Sequence, residues 1–174
     1  GQSIDISTTT AATLSGGAIL INEPGSSNIS LVLATPTGSA TNTIDGNGLT
    51  AVLSGPITGT GPLTFTNSQN STTISNTILS GNNTYTGATV VDGGARLSVD
   101  GSIASSAHLT VNAGAIVGGN GSLPATTLQS GGYLAPGNSI GLLTAASLDF
   151  GPVAPGGILA AEIQGPQNDK TTVT

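Results

Sequence analysis

Cysteine is absent from all 174 residues, which excludes disulfides and thiolate metal sites. Methionine and tryptophan are absent too, and aromatic residues supply only 2% of the chain. Charge is scarce: 6% of residues are Asp, Glu, Lys or Arg, against about 25% in ordinary domains. Arg96 and Lys170 are the only cations, so no basic patch can be built for nucleic acid or for an anionic membrane surface. No apolar run approaches the roughly 20 residues of a membrane span, so this segment is not expected to insert in a bilayer. The opening GQSID lacks the basic start and apolar stretch of a secretory leader, and the chain reads as a mature piece or an excised fragment. Without covalent staples, stability has to come from packing and backbone hydrogen bonds.

What the chain does contain is glycine, 27 residues of it, without the period of three that marks collagen. A hydrophobic fraction of 36% with a net charge of -6 is not the signature of disorder. Gly, Asn, Asp and Pro punctuate every short apolar run. The runs themselves are brief and rich in β-branched residues: ISLVLA (29–34), PLTFT (62–66), TVV (89–91) and LTV (109–111). The fold class is all-β with essentially no helix.

Self-similarity points to the architecture. Three segments align without a gap: TVVDGGARLSVDGSI (89–103), LTVNAGAIVGGNGSL (109–123) and TTLQSGGYLAPGNSI (126–140). Their third position is Val91, Val111 and Leu128; their sixth is Gly94, Gly114 and Gly131; their ninth is Leu97, Val117 and Leu134. The fourteenth is Ser102, Ser122 and Ser139, and the last is Ile103, Leu123 and Ile140. Coils of about 17–20 residues suit a right-handed parallel β-helix, a solenoid in which each aliphatic position stacks on its copy one winding on. An antiparallel sandwich is the rival, because Asp92-Gly93, Asp100-Gly101 and Asn120-Gly121 favour two-residue hairpins. Two of these dipeptides share one place in the alignment, which favours a common corner. Residues 1–174 form one domain on this reading, with residues 1–52 less regular and 53–174 carrying recognisable repeats.

Several stretches resemble the passenger domains of autotransporters, the type V secretion family. LSGNNTYTGATVVDGGARLSV (79–99) is similar to the passenger-associated β-helix repeat, in which a glycine-flanked Asn-Thr-Tyr-Thr-Gly element leads into a strand and a glycine corner. GGYLAPGNSIGLLT (131–144) resembles another recurrent passenger element, and GGILAAEIQGPQNDKTTVT (156–174) the coil that follows it. Ala88 stands where a second glycine is common, and the chain stops before any autochaperone segment or barrel. The resemblance implies export through the periplasm and outer membrane to the bacterial cell surface, or release from it. It implies roles in adhesion, self-association or virulence, with a host surface, matrix protein, glycan or second passenger as partner.

Gly137, Ser139 and Gly141 have the spacing of a hydrolase nucleophile elbow. Yet Ser139 recurs as Ser102 and Ser122, where no elbow exists, so stacked or turn-bonded hydroxyls account for all three. A serine nucleophile also needs a base and an orienting carboxylate, and the one histidine, His108, falls in a different coil segment. His108 reads as a solvated turn residue. The acidic residues Asp5, Glu23, Asp45, Asp92, Asp100, Asp149, Glu162 and Asp169 are scattered at turns rather than paired as a glycosidase needs. GGNGS (118–122) has Leu123 where a calcium repeat needs aspartate, and DGNG (45–48) lacks the closing glutamate of an EF-hand. Tyr85, Tyr133, Phe65 and Phe150 are too dispersed for a sugar platform and read as rings packed at coil edges. Asn28, Asn70, Asn82 and Asn120 open glycosylation-type triplets without consequence in a bacterial protein.

No catalytic, cofactor-binding or metal residue is therefore assigned. The reading is a non-enzymatic stalk or adhesin. Its alternatives are a polysaccharide-acting enzyme or esterase on the same scaffold, and a spacer without ligand.

Overall fold

The computed structural model describes residues 11–38, 40–69, 72–137, 141–151, 156–160, 163, 164, 167, 168 and 170–173. Strands and turns account for their regular structure, with no helix among them. The longest sheet has eight strands: Ala18–Leu20, Asn42–Asp45, Leu63–Thr66, Thr89–Val91, Leu109–Val111, Ser122–Leu128, Leu142–Asp149 and Lys170–Val173. A second has seven: Gly25–Ser27, Thr50–Leu53, Ser75–Leu79, Ala95–Val99, Ile116–Gly119, Tyr133–Pro136 and Ile158–Leu159. A third, of three strands, holds Ala11–Leu14, Ser30–Leu33 and Ile57–Gly59. Every pairing in these three sheets is parallel. The chain visits the eight- and seven-stranded sheets alternately, so each strand lies beside its counterpart from the next pass. This all-β, all-parallel arrangement is consistent with a parallel β-solenoid. One two-residue antiparallel pair, Ile163–Gln164 with Gln167–Asn168, stands outside it.

The register explains why these sequences form these strands. On the eight-stranded sheet Ile19, Ile44, Phe65, Val91, Val111 and Leu128 lie beside one another in turn, all within 1% exposure. On the seven-stranded sheet Ala51, Thr77, Leu97, Val117 and Leu134 do the same. Alternate residues face inward, so a strand as short as Thr89–Val91 contributes two side chains to the core and one to the surface. Burying a Leu or Val side chain in such a stack contributes roughly 1.5–3 kcal/mol, repeated at every pass.

Glycine does its work at the corners. Gly94, Gly114, Gly131 and Gly156 all have φ between 73° and 82°, and each of the first three donates its N–H to the carbonyl of the next. The aligned glycine column thus extends one winding further than the repeats reach. Asp100-Gly101 and Asn120-Gly121 occupy one shared corner: Asn120 N–H donates to Asp100 Oδ1 at 3.2 Å, and a Cβ on Gly121 would run into the Gly101 carbonyl. They make no hairpin.

Two expectations need correction. Paired residues are 20 apart from Thr89 to Leu109 and 17 apart from Leu109 to Thr126, as the repeats require. Elsewhere the step is longer: 25 from Ala18 to Thr43, 26 from Leu63 to Thr89, 28 from Leu142 to Lys170. In the second of these the extra length is loop: eight residues separate Leu63–Thr66 from Ser75–Leu79, against three between Thr89–Val91 and Ala95–Val99. The first step also holds the Ser30–Leu33 strand, and the last the Ile163–Gln164 and Gln167–Asn168 pair. The third repeat also departs from the gapless alignment after Pro136. Ser122 pairs with Thr144 and Leu123 with Ala145, while the aligned Ser139 and Ile140 lie outside the described residues.

Replacing Leu97 by Ala opens a cavity in a stack held on both sides, and a loss of about 2–5 kcal/mol is predicted in chemical denaturation. Thr110→Val on the outer face of the neighbouring sheet should change stability by less than about 0.5 kcal/mol.

Candidate functional site

Ser139, with Asn138 and Ile140, lies outside the described residues. Its aligned counterparts are backbone-bridged: Asn82, Ser102 and Ser122 follow one another in parallel. The Ser102 hydroxyl accepts the N–H of Ala104 at 3.2 Å, a local turn bond rather than a rung between hydroxyls. Ladder membership therefore accounts for Ser102 and Ser122, while the column's next member is Thr144.

His108 is half-buried, and its Nε2 lies 3.0 Å from Thr127 Oγ1. It is an anchored side chain and not the solvated turn residue that composition suggested. Asp149 sits beside Thr127 on the following strand, its Oδ1 accepting the N–H of Gly151 at 2.9 Å. The order along this face is thus imidazole, hydroxyl, carboxylate. A triad needs the carboxylate on the far side of the imidazole, where it fixes the tautomer and supports the imidazolium.

Asp45, Asp92 and Asp100 are engaged at corners. Asp45 Oδ1 accepts from the N–H groups of Asn47 and Ser68, both at 2.9 Å, which uses up the DGNG loop. Asp92 Oδ1 accepts from Asn112 Nδ2 at 2.8 Å. Among the described residues no three His, Cys, Asp or Glu side chains are grouped as a metal site. Asp5, Glu162 and Asp169, like Asn70, lie outside those residues.

Sequence reasoning missed the inner polar residues. Asn83 is 2% exposed; its Oδ1 accepts from Ile57 N–H at 2.9 Å, and its Nδ2 donates to the carbonyls of Gly81 and Ser102, both at 3.0 Å. Asn42 acts likewise in a preceding winding, accepting from Gly16 N–H and donating to Ala34 and Pro62 carbonyls. Each amide therefore ties adjacent windings, Asn83 outside any strand and Asn42 at the first residue of Asn42–Asp45. Tyr85 and Phe65 are inside the core at 0% and 1% exposure, contrary to the coil-edge expectation, whereas Tyr133 and Phe150 are each 38% exposed. The Tyr85 hydroxyl lies 2.7 Å from Thr89 Oγ1, which lies 2.9 Å from Ser106 Oγ. Desolvation pushes the Tyr85 phenol well above its usual range, only partly opposed by the Thr89 hydrogen bond. Gly87 closes the element: a Cβ there would strike the Gly61 carbonyl. A buried amide, a buried phenol and a forced glycine give the NNTYTG stretch a physical reason.

The outer faces differ. Thr43, Thr64, Val90, Thr110, Thr127 and Asp149 form the central outward row of the eight-stranded sheet. On the seven-stranded sheet the corresponding row is Thr50, Asn76, Arg96, Ile116, Tyr133 and Ile158. No protein-family model, curated protein or solved structure matches the chain.

Asn83→Ala leaves one buried N–H and two carbonyls without that amide and is predicted to cost at least about 2 kcal/mol. The raised phenol gives a pH test. Tyr85 is neutral in the folded chain where an unfolded phenol, near pKa 10, already ionises, so its contribution is complete below about pH 10 and lost above it. Denaturation midpoints should fall above pH 10 in the native sequence, and Tyr85→Phe should flatten that fall.

Proposed function

We propose that this chain is a right-handed parallel β-helix segment of a bacterial autotransporter passenger, acting as a non-enzymatic stalk or adhesin at the cell surface. The observation that carries the reading is the coincidence of motif and architecture. The passenger-like stretch from 79 to 99 supplies a buried Asn83, a buried Tyr85 and a glycine pressed against the preceding winding, in a chain whose three main sheets are wholly parallel. Scarce charge, absent cysteine and pairing between successive windings suit a chain that crosses an outer membrane unfolded and then folds winding by winding. Carboxylates engaged in hydrogen bonds at corners, and an imidazole whose hydrogen bond among the described residues goes to Thr127, support a mechanical role over hydrolysis. In that role the stacked core resists bending while outer faces and loops meet a host surface, a matrix protein, a glycan or another passenger.

Fused ahead of an outer-membrane autotransporter barrel, the chain should reach the surface of intact cells and raise adhesion or autoaggregation above barrel-only cells. Hydrolysis of pectins and esters by the purified chain should stay at background. Turnover that Ser139→Ala abolishes would overturn the non-enzymatic reading, and display without adhesion would make the chain a spacer.

A further inference from the structure

We infer that the outer face of the seven-stranded sheet binds an oligosaccharide ending in a single carboxylated sugar, with Arg96 holding the carboxylate and the Tyr133 ring stacking on the adjoining sugar. The surface-display reading supplies only its biological setting. Arg96 is the one charged residue in the seven strands of that sheet, which contain no Asp or Glu. It is half-buried, and among the described residues no carboxylate pairs with it.

Its head group is held in place. Arg96 Nε donates to Ser98 Oγ at 3.1 Å, and the Ser98 hydroxyl donates to Asn76 Oδ1 at 2.9 Å. Ser98 is fully buried although it points outward, because the arginine lies over it. The guanidinium also reaches the next strand, where a Cβ on Gly118 would stand 3.2 Å from Nη2. A small residue under the head group lets it lie flat on the sheet. With Nε engaged by serine, the Nη nitrogens are left to receive a ligand. A planar guanidinium fork fits a carboxylate with two parallel hydrogen bonds, and partial burial strengthens them.

Tyr133 completes the site. Arg96 pairs with Ile116 and Ile116 with Tyr133, so the two outward side chains root roughly 9.5 Å apart. The exposed ring offers an apolar face and a hydroxyl tip. Ser98, Gly118 and Ala135 line up in register as a row of small residues, and the guanidinium lies over the first two. Asn76 and Thr50 continue the row with polar groups on the other side of Arg96. One cation among the strands of this sheet, in a chain of net charge -6, suits one carboxylate, and the overall charge repels a polyanion. A peptide acid would need a free strand edge or deep side-chain pockets, which a sheet face does not offer.

The test is titration of the intact chain with lactose, with lactose carrying one terminal sialic acid, and with oligogalacturonate, read by NMR chemical shifts and calorimetry. The sialylated sugar should bind, weakening as salt is raised, with the other two at least about tenfold weaker. Arg96→Gln should reduce that affinity about tenfold and Arg96→Lys should recover only part of it. Tyr133→Ala should weaken it severalfold while Tyr133→Phe keeps it, each variant having an unchanged melting profile. No binding of the sialylated sugar, binding indifferent to Arg96→Gln, or tighter binding of oligogalacturonate overturns the site. None of these outcomes alters surface display, so the site can fail while the stalk reading stands.

Discussion

Stacking of like side chains from successive windings is the constraint on which the rest of the structure depends. Phe65, Val91, Val111 and Leu128 are neighbours although far apart in sequence, because parallel hydrogen bonds fix each strand beside its counterpart. Once that register is set, every inward position must be apolar or carry its own hydrogen-bond partners. Corners must then turn without a side chain where windings touch. The Gly94–Gly114–Gly131–Gly156 column and the Gly101–Gly121 corner follow from this closeness. Of the four aromatic rings, Phe65 and Tyr85 are buried in this stack.

Several polar residues inside the stack are satisfied there, and three of them reach groups of a neighbouring winding. Asn42 and Asn83 bind carbonyls and an N–H where the chain leaves one sheet for the next. Thr89 replaces an aliphatic rung and hands its hydroxyl to Tyr85 and Ser106. These contacts act along the axis and so add direction to a core whose hydrophobic stacking is otherwise tolerant of exchange.

The parallel core was legible in the three repeats because equal spacing and equal corner residues recur there together. Val91, Val111 and Leu128 stack as their alignment requires, as do Leu97, Val117 and Leu134. The third repeat misled at its end. A gapless alignment cannot show that Thr144 takes the place beside Ser122. The first half was opaque for a related reason: long loops such as the one before Ser75 hide a regular stack behind irregular spacing. Asn42 and Asn83 were illegible because an asparagine that binds three backbone groups looks, in sequence, like any turn asparagine. The arginine site was hidden too, since only the register brings Arg96, Ser98, Asn76 and Tyr133 onto one face.

Because the chain has no cysteine, disulfide formation measures the register without background. Val90 and Thr110 are outward neighbours on adjacent strands, while Val90 and Thr127 are two strands apart. Parallel neighbours at about 4.8 Å fall within reach of a disulfide, and a span of roughly 9.6 Å does not. Val90→Cys with Thr110→Cys should close an intramolecular bond under mild oxidation, and Val90→Cys with Thr127→Cys should stay reduced. Failure of the first pair, or efficient closure of the second, would contradict the stacked winding itself.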